Sequence, residues 1–215
     1  MNKLDRRLIA LAVPALGTLA AEPLYRLVDT AVVGRLGTDQ LGGLAIAVAV
    51  LSLVIASSNF ITYGTTQRVA HRLGAEQIIE AANVGVQAVW LGAIVGVAAV
   101  PILILGAGPM ASALGASNEV LEFAVQYLRI AALSVPFVVV SLAAQGVQRG
   151  ASDFRTPLVI LVCSNAANVI VELILVFRFD LGVAGAAWST VIAQAGAGIA
   201  FVAVIQGRLK HASQL

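Results

Sequence analysis

Charge is scarce in this chain. Asp, Glu, Lys and Arg make up 11% of its 215 residues, where soluble domains carry roughly 25%. Hydrophobic residues reach 60% and the mean hydropathy is +0.95. Such a chain cannot cover a globule with water-compatible surface, which excludes a soluble domain and leaves room for about six or seven membrane spans of roughly 20 residues. Cysteine is represented by Cys163 alone, so no disulfide framework or cysteine-based metal site forms within the chain, and the residue reads as a small buried hydrophobe. The two histidines, His71 and His211, form no ligand cluster, so no metal is expected. No Gly-x-x-x-x-Gly-Lys-Ser/Thr loop is present. Gly106-Ala107-Gly108-Pro109 lacks the strand before it and the helix after it that a dinucleotide turn needs. ATP therefore does not drive the chain directly, no cofactor is expected, and any uphill movement must draw on an ion gradient. The net charge of +2 and pI near 9.0 do not imply nucleic acid as a partner, because the basic residues cluster in loops, where membrane topology accounts for them.

What is present is a series of apolar runs of spanning length. They place helices near 8–34, 41–63, 82–105, 120–145, 157–177 and 183–206, an all-α membrane protein with six transmembrane helices in one unit over residues 1–215. Breakers mark the boundaries: Gly37 and the Gly42-Gly43 pair, Gly106 to Pro109, Gly150 with Pro157, and Gly182. Lys3, Arg6 and Arg7 before Leu8 to Ala20 imitate a secretory signal, but the apolar run continues through Val33, and the reading is an uncleaved first span. Lys3, Arg6, Arg7, Arg68, Arg72, Arg149, Arg155, Arg208 and Lys210 fall on one side, against Arg35 and Arg178 on the other. This bias puts both termini in the cytoplasm of a plasma membrane, the inner membrane if bacterial. Thr65 to Glu80 reads as a cytoplasmic interfacial helix with His71 solvated or facing lipid. Trp90, Trp188, Phe60 and Phe137 read as packing or interfacial anchors.

A carboxylate at bilayer depth needs a pairing or functional explanation, and Asp29 lies inside the first apolar run. Glu22 and Arg26 share its helical face at spacings of four and three. One cation among two carboxylates leaves a net negative charge, to be offset by a bound cation or proton. In the fifth run Asn168 and Glu172 stack four residues apart, with Asn165 in the same arc. Amide and carboxylate oxygens in that stripe suit a hard cation, or a carboxylate that takes up a proton; interhelical polar contact is the plainer alternative. Arg129 in the fourth run also needs a partner. Gly92-x-x-x-Gly96, Gly196 and Gly198 permit close helix approach, and Pro14, Pro101 and Pro136 permit bending. Pro14, on the helix of Asp29, is the residue expected to move.

The run Ala21-Glu-Pro-Leu-Tyr-Arg-Leu-Val-Asp29-Thr-Ala-Val-Val-Gly34-Arg-Leu-Gly37 resembles the first-helix signature of the multidrug and toxic compound extrusion (MATE) family, in its DNA-damage-inducible protein F-like branch. Gln148-Arg149-Gly150-Ala-Ser-Asp153-Phe-Arg155-Thr156-Pro157, Asn168, and Leu181-Gly182-Val-Ala-Gly185-Ala-Ala-Trp188-Ser-Thr190 carry the same resemblance, which extends over the chain as the family's amino-terminal lobe.

The resemblance implies an antiporter, not an enzyme, that exports small organic, often cationic compounds as a proton or sodium ion enters. It implies a cation or proton site of Asp29, Gln145, Asn168, Glu172 and Thr190, which Pro14, Glu22, Arg26 and Asn165 support by their placement in the same spans. Glu172 and Gln145 are each one methylene longer than the Asp and Asn of some relatives; this leaves proton against sodium open, with protonation less sensitive to the change. Family members have two lobes. The expectation is therefore that this lobe needs a second six-helix lobe, from a separate chain or a second copy, before it transports. A lipid-intermediate flippase-like half-transporter and a non-transporting membrane scaffold or gene fragment are the competing expectations.

Overall fold

The structure is a computed structural model and describes residues 12–13, 16–17, 20, 23–24 and 26–212. Pro14 and Glu22 lie outside the described residues. Helix α1 is continuous over 26–33, followed by α2 (Thr38–Gly74), α3 (Ile78–Ala113), α4 (Asn118–Ala131), α5 (Val135–Gly150), α6 (Arg155–Leu173) and α7 (Gly182–Ala212). A 3-10 turn, Ala132–Ser134, joins α4 to α5, and a π turn, Ile174–Arg178, ends α6. No strand occurs among the described residues. Among the described residues, five helical stretches are long and apolar enough to cross a bilayer, with α4 and α5 together forming one of them, Asn118–Gly150. The chain is a multi-pass membrane protein.

The spans outrun the apolar runs that signal them. At 1.5 Å per residue, the 37 residues of α2 and 36 of α3 extend about 55 Å, well past a hydrocarbon core of about 30 Å. The separate interfacial helix expected over Thr65 to Glu80 does not exist: 65–74 continue α2 and 78–80 open α3, around a tight turn at 75–77. Polar composition marked where the helix leaves the apolar layer, not where it ends. Gly42 and Gly43 likewise sit inside α2, and Gly106 to Pro109 inside α3, because neighbouring helices support a membrane helix across such residues. Gly37 and Gly182 do act as boundaries, with φ of 142° and 52°.

The interior is built from small residues. Alanine and valine dominate the buried set, whereas Leu105, Ile79 and Ile94 are exposed. Lipid rewards no burial of apolar surface, so small residues go where backbones approach and large ones face outward. Cys163 follows this pattern and is exposed on α6, not buried as its apolar setting suggested.

Helix α5 packs against α2, α3 and α7, and glycines set its spacing. A Cβ on Gly146 would lie 2.8 Å from the Thr62 carbonyl oxygen, and one on Gly96 would lie 2.5 Å from Pro136 Cα. Thr62 donates to the Leu142 carbonyl at 3.0 Å, and Thr66 to that of Gly146 at 3.2 Å, fastening α2 to α5 where they are closest. Pro136 occupies the first turn of α5, where its missing N–H costs nothing. The 3-10 turn before it is closed by Ser134, whose hydroxyl donates to the Ala131 carbonyl at 2.7 Å.

Gly198 meets Phe137 at 3.1 Å, whereas Gly196 has open space. Gly96→Ala is therefore expected to push α3 from α5 at a cost of about 1–3 kcal/mol, and Gly196→Ala to be neutral or to gain roughly 0.5–1 kcal/mol. Thermal unfolding of the two variants in detergent, followed side by side, checks this.

Candidate functional site

Helix α6 is nearly inverted. Its buried residues are Pro157, Asn168 and Glu172, while Val159, Val162 and Ile170 point outward. The spacing of four puts Asn168 and Glu172 on one face a turn apart, and that face turns inward. Glu172 is 0% exposed and Asn168 2%. Glu172 precedes the π turn, against which α7 presses closely: a Cβ on Gly185 would lie 3.0 Å from the carbonyl carbon of Leu175.

Asp29, 4% exposed on α1, meets Glu172 side chain to side chain across the α1–α6 boundary. That contact is a hydrogen bond only when one carboxyl carries a proton. With both ionised, Asp29 Oδ1 and Glu172 Oε1 and Oε2 have no hydrogen-bond partner, and Asn168 Oδ1, one turn away, has none either. Arg26, one turn from Asp29, lends it a favourable charge and donates to Ser52 Oγ of α2 at 3.1 Å.

A cavity of about 360 Å³ opens beside this pair, with Arg26, Asp29, Gln145, Asn165 and Thr190 on its wall. Asn168 and Glu172 are not on that wall. Thr190 donates to the Ala186 carbonyl at 3.1 Å, which leaves the Tyr127 hydroxyl, 3.4 Å away, as the donor to Thr190. Gln145 stands apart from the carboxylates. It lies five residues before the end of α5, and Glu172 lies 17 residues into α6, which starts just after the 151–154 turn. Their levels differ by roughly 18 Å along the helices. Its side-chain oxygen accepts a long contact, 3.5 Å, from Arg149 one turn on. The expected residues thus divide: Asp29, Glu172 and Asn168 fall together, Gln145 stands at another level, and Thr190 lines the cavity with Asp29 and Gln145.

The sequence reading passed over Tyr127, which is 2% exposed, and over Ser52, Asn59, Tyr63 and Gln194 on the cavity wall. Gln194 carried a signal in its spacing of four from Thr190; the others are single polar residues in apolar helices. Gln148, which the sequence marked only as part of a family motif, is fully buried with neither amide atom partnered. No group of three or more potential metal ligands occurs among the described residues.

The family model MatE matches residues 14–174. DNA damage-inducible protein F of Escherichia coli (strain K12) is 33% identical over 195 residues, 88% of this chain and 42% of that protein. Protein DETOXIFICATION 44, chloroplastic, of Arabidopsis thaliana is 33% identical over 206 residues, 90% of this chain and 40% of that protein. A crystal structure of MATE in the bent conformation superposes with a TM-score of 0.85 at 25% identity, over 90% of this chain and 43% of that one. The chain spans less than half the length of these relatives. On a match covering most of its length, and on the same helical arrangement, the chain belongs to the MatE family of membrane transporters.

Proposed function

We propose that the chain is the amino-terminal lobe of a proton-coupled exporter of small organic, often cationic compounds, and that it works with a second six-helix lobe. The observation that carries this reading is the contact of Asp29 with Glu172, with buried oxygens lacking partners on both and on Asn168. Helix α1 supplies the sixth span, residues 1–215 form one lobe, and the basic residues at the α2, α5 and α7 ends face the cytoplasm, with both termini.

Arg26 offsets one of the two carboxylates, so the group needs one more positive charge. A proton meets that need by hydrogen-bonding α1 to α6; a sodium ion would have to draw on the same few oxygens. Two carboxylates facing each other at 4 Å repel by about 4 kcal/mol at an effective dielectric of 20. At 1.4 kcal/mol per tenfold, proton loss then shifts a two-state equilibrium by about three decades. The proton thus latches α1 against α6, and its departure frees α1 to change the cavity that holds substrate. Thr190 and Tyr127 line the cavity beside Asp29, and Gln145 contacts substrate at another level of it. Half-length bears on the path: a cavity walled by one lobe lacks its other wall, and repeat-built transporters move one half against the other.

Dye efflux in pump-deficient cells that express both lobes tests the reading. Asp29→Asn and Glu172→Gln each lose most export and its response to an imposed pH gradient, while replacing sodium in the medium changes nothing. Export that tracks sodium and ignores the pH gradient rejects proton coupling, and full export by Asp29→Asn rejects the site itself.

Because Gln145 stands off the carboxylate pair, Gln145→Ala is expected to shift the spectrum of exported dyes while leaving the pH-gradient response intact. The chain expressed without a second lobe is expected to give no efflux in the same cells.

A further inference from the structure

Beyond the spans, α2 and α3 project as a hairpin that encloses a second concavity, a groove of about 670 Å³. Gln67, Arg68, His71 and Arg72 line it from α2, and Glu80, Asn83, Val84 and Gln87 from α3. Each set falls on one helical face by its spacing. The face lies opposite the one that packs on α5, where Thr62, Thr66, Val69 and Gly85 are engaged.

The charges in the groove do not cancel. Arg72 pairs with Glu80 at 2.5 Å and donates to Gln77 at 2.6 Å. Among the described residues, Arg68 and His71 have neither an ion pair nor a hydrogen bond, and no further acidic residue lines the groove. The surplus is positive, with the Asn83 and Gln87 amides beside it as neutral donors. An arginine fork with amide donors suits a phosphate oxygen cluster.

The groove also continues onto an exposed apolar face. Asn83, Gln87, Trp90, Ile94 and Val97 follow one another at spacings of four and three along a single face of α3. Trp90, Ile94 and Val97 are 67%, 64% and 59% exposed. Polar donors, an interfacial tryptophan and an apolar track succeed one another over roughly 21 Å, the order of headgroup, interface and acyl chain in a phospholipid. A free phosphate ion has no use for the track.

We infer that the α2–α3 hairpin is a binding site for one anionic phospholipid, whose phosphate sits between Arg68 and His71 while its chain lies along Trp90, Ile94 and Val97. Basic pockets between helices at a membrane surface bind anionic headgroups in this way. The site stands apart from the carboxylate pair and needs neither coupling nor a particular orientation of the chain.

In a Trp188→Phe background Trp90 is the remaining tryptophan, and it reports on the groove directly. The full chain is reconstituted in phosphatidylcholine vesicles containing either brominated phosphatidylglycerol or brominated phosphatidylcholine at equal fraction. Quenching of Trp90 is expected to favour the anionic lipid about fivefold per basic contact, and the preference to fall towards parity in Arg68→Gln and in Asn83→Asp, which puts a carboxylate in the groove without touching the arginine. Arg155→Gln, the same charge loss at a helix end outside the groove, leaves the preference in place. Equal quenching by both lipids in the unaltered groove overturns the inference. So does a preference that survives both groove variants, one lost equally in Arg155→Gln, which is general surface attraction, or one erased by inorganic phosphate at constant ionic strength, which is a free-anion site. Efflux plays no part in this readout, so failure of the lipid site and failure of the exporter reading are seen separately.

Discussion

Two carboxyl groups in contact inside a membrane protein set the terms for what surrounds them. Asp29 and Glu172 join the first helix to the sixth, and on α6 the buried positions belong to a proline, an amide and an acid, not to its many valines and isoleucines. In water an amphipathic helix buries its apolar face; in lipid that drive vanishes, and polar groups supply the reason for one face to turn inward. The π turn after Glu172 and the close seat of Gly185 upon it belong to the same region, where α7 comes down on the end of α6.

Around that contact, α5 acts as the frame. Glycines admit α2 and α3 to near backbone contact with it, and the threonine hydroxyls of α2 close hydrogen bonds onto its carbonyls at the same places. The change of helix type at Ala132–Ser134 puts Pro136 in a first turn, where it breaks no hydrogen bond. Frame and carboxylate pair are physically distinct. Steric fit and hydroxyl-to-carbonyl hydrogen bonds hold the first, whereas the second brings two acidic side chains together.

The polar inventory falls into two places with different chemistry. One is the cavity inside the helices, which carries Arg26, Asp29, Thr190 and Gln145 at different levels. The other is the projecting α2–α3 hairpin, whose surplus positive charge faces outward. Helix α2 serves both: towards its middle it lends Ser52 to Arg26, and near its carboxy-terminal end it lends Arg68 and His71 to the groove.

By itself the sequence determined the class of the protein, the existence of its spans and the identity of its buried acids, since low charge, long apolar runs and carboxylates within them are properties of composition and order. It did not determine where α2 and α3 end, because a helix runs on past the apolar layer when its residues favour helix, and Thr65 to Glu80 look alike whether they lie along a membrane or extend from it. It paired Asn168 with Glu172 by their spacing of four, and its family resemblance grouped Asp29 and Gln145 with them, but no periodicity showed that Glu172 meets Asp29, far away in the chain, or that Gln145 stands apart from both. Cys163 shows the same limit from the other side: an apolar neighbourhood says that a residue avoids water, and only the packing of α6 decided that it lies on the outside of the helices and not between them.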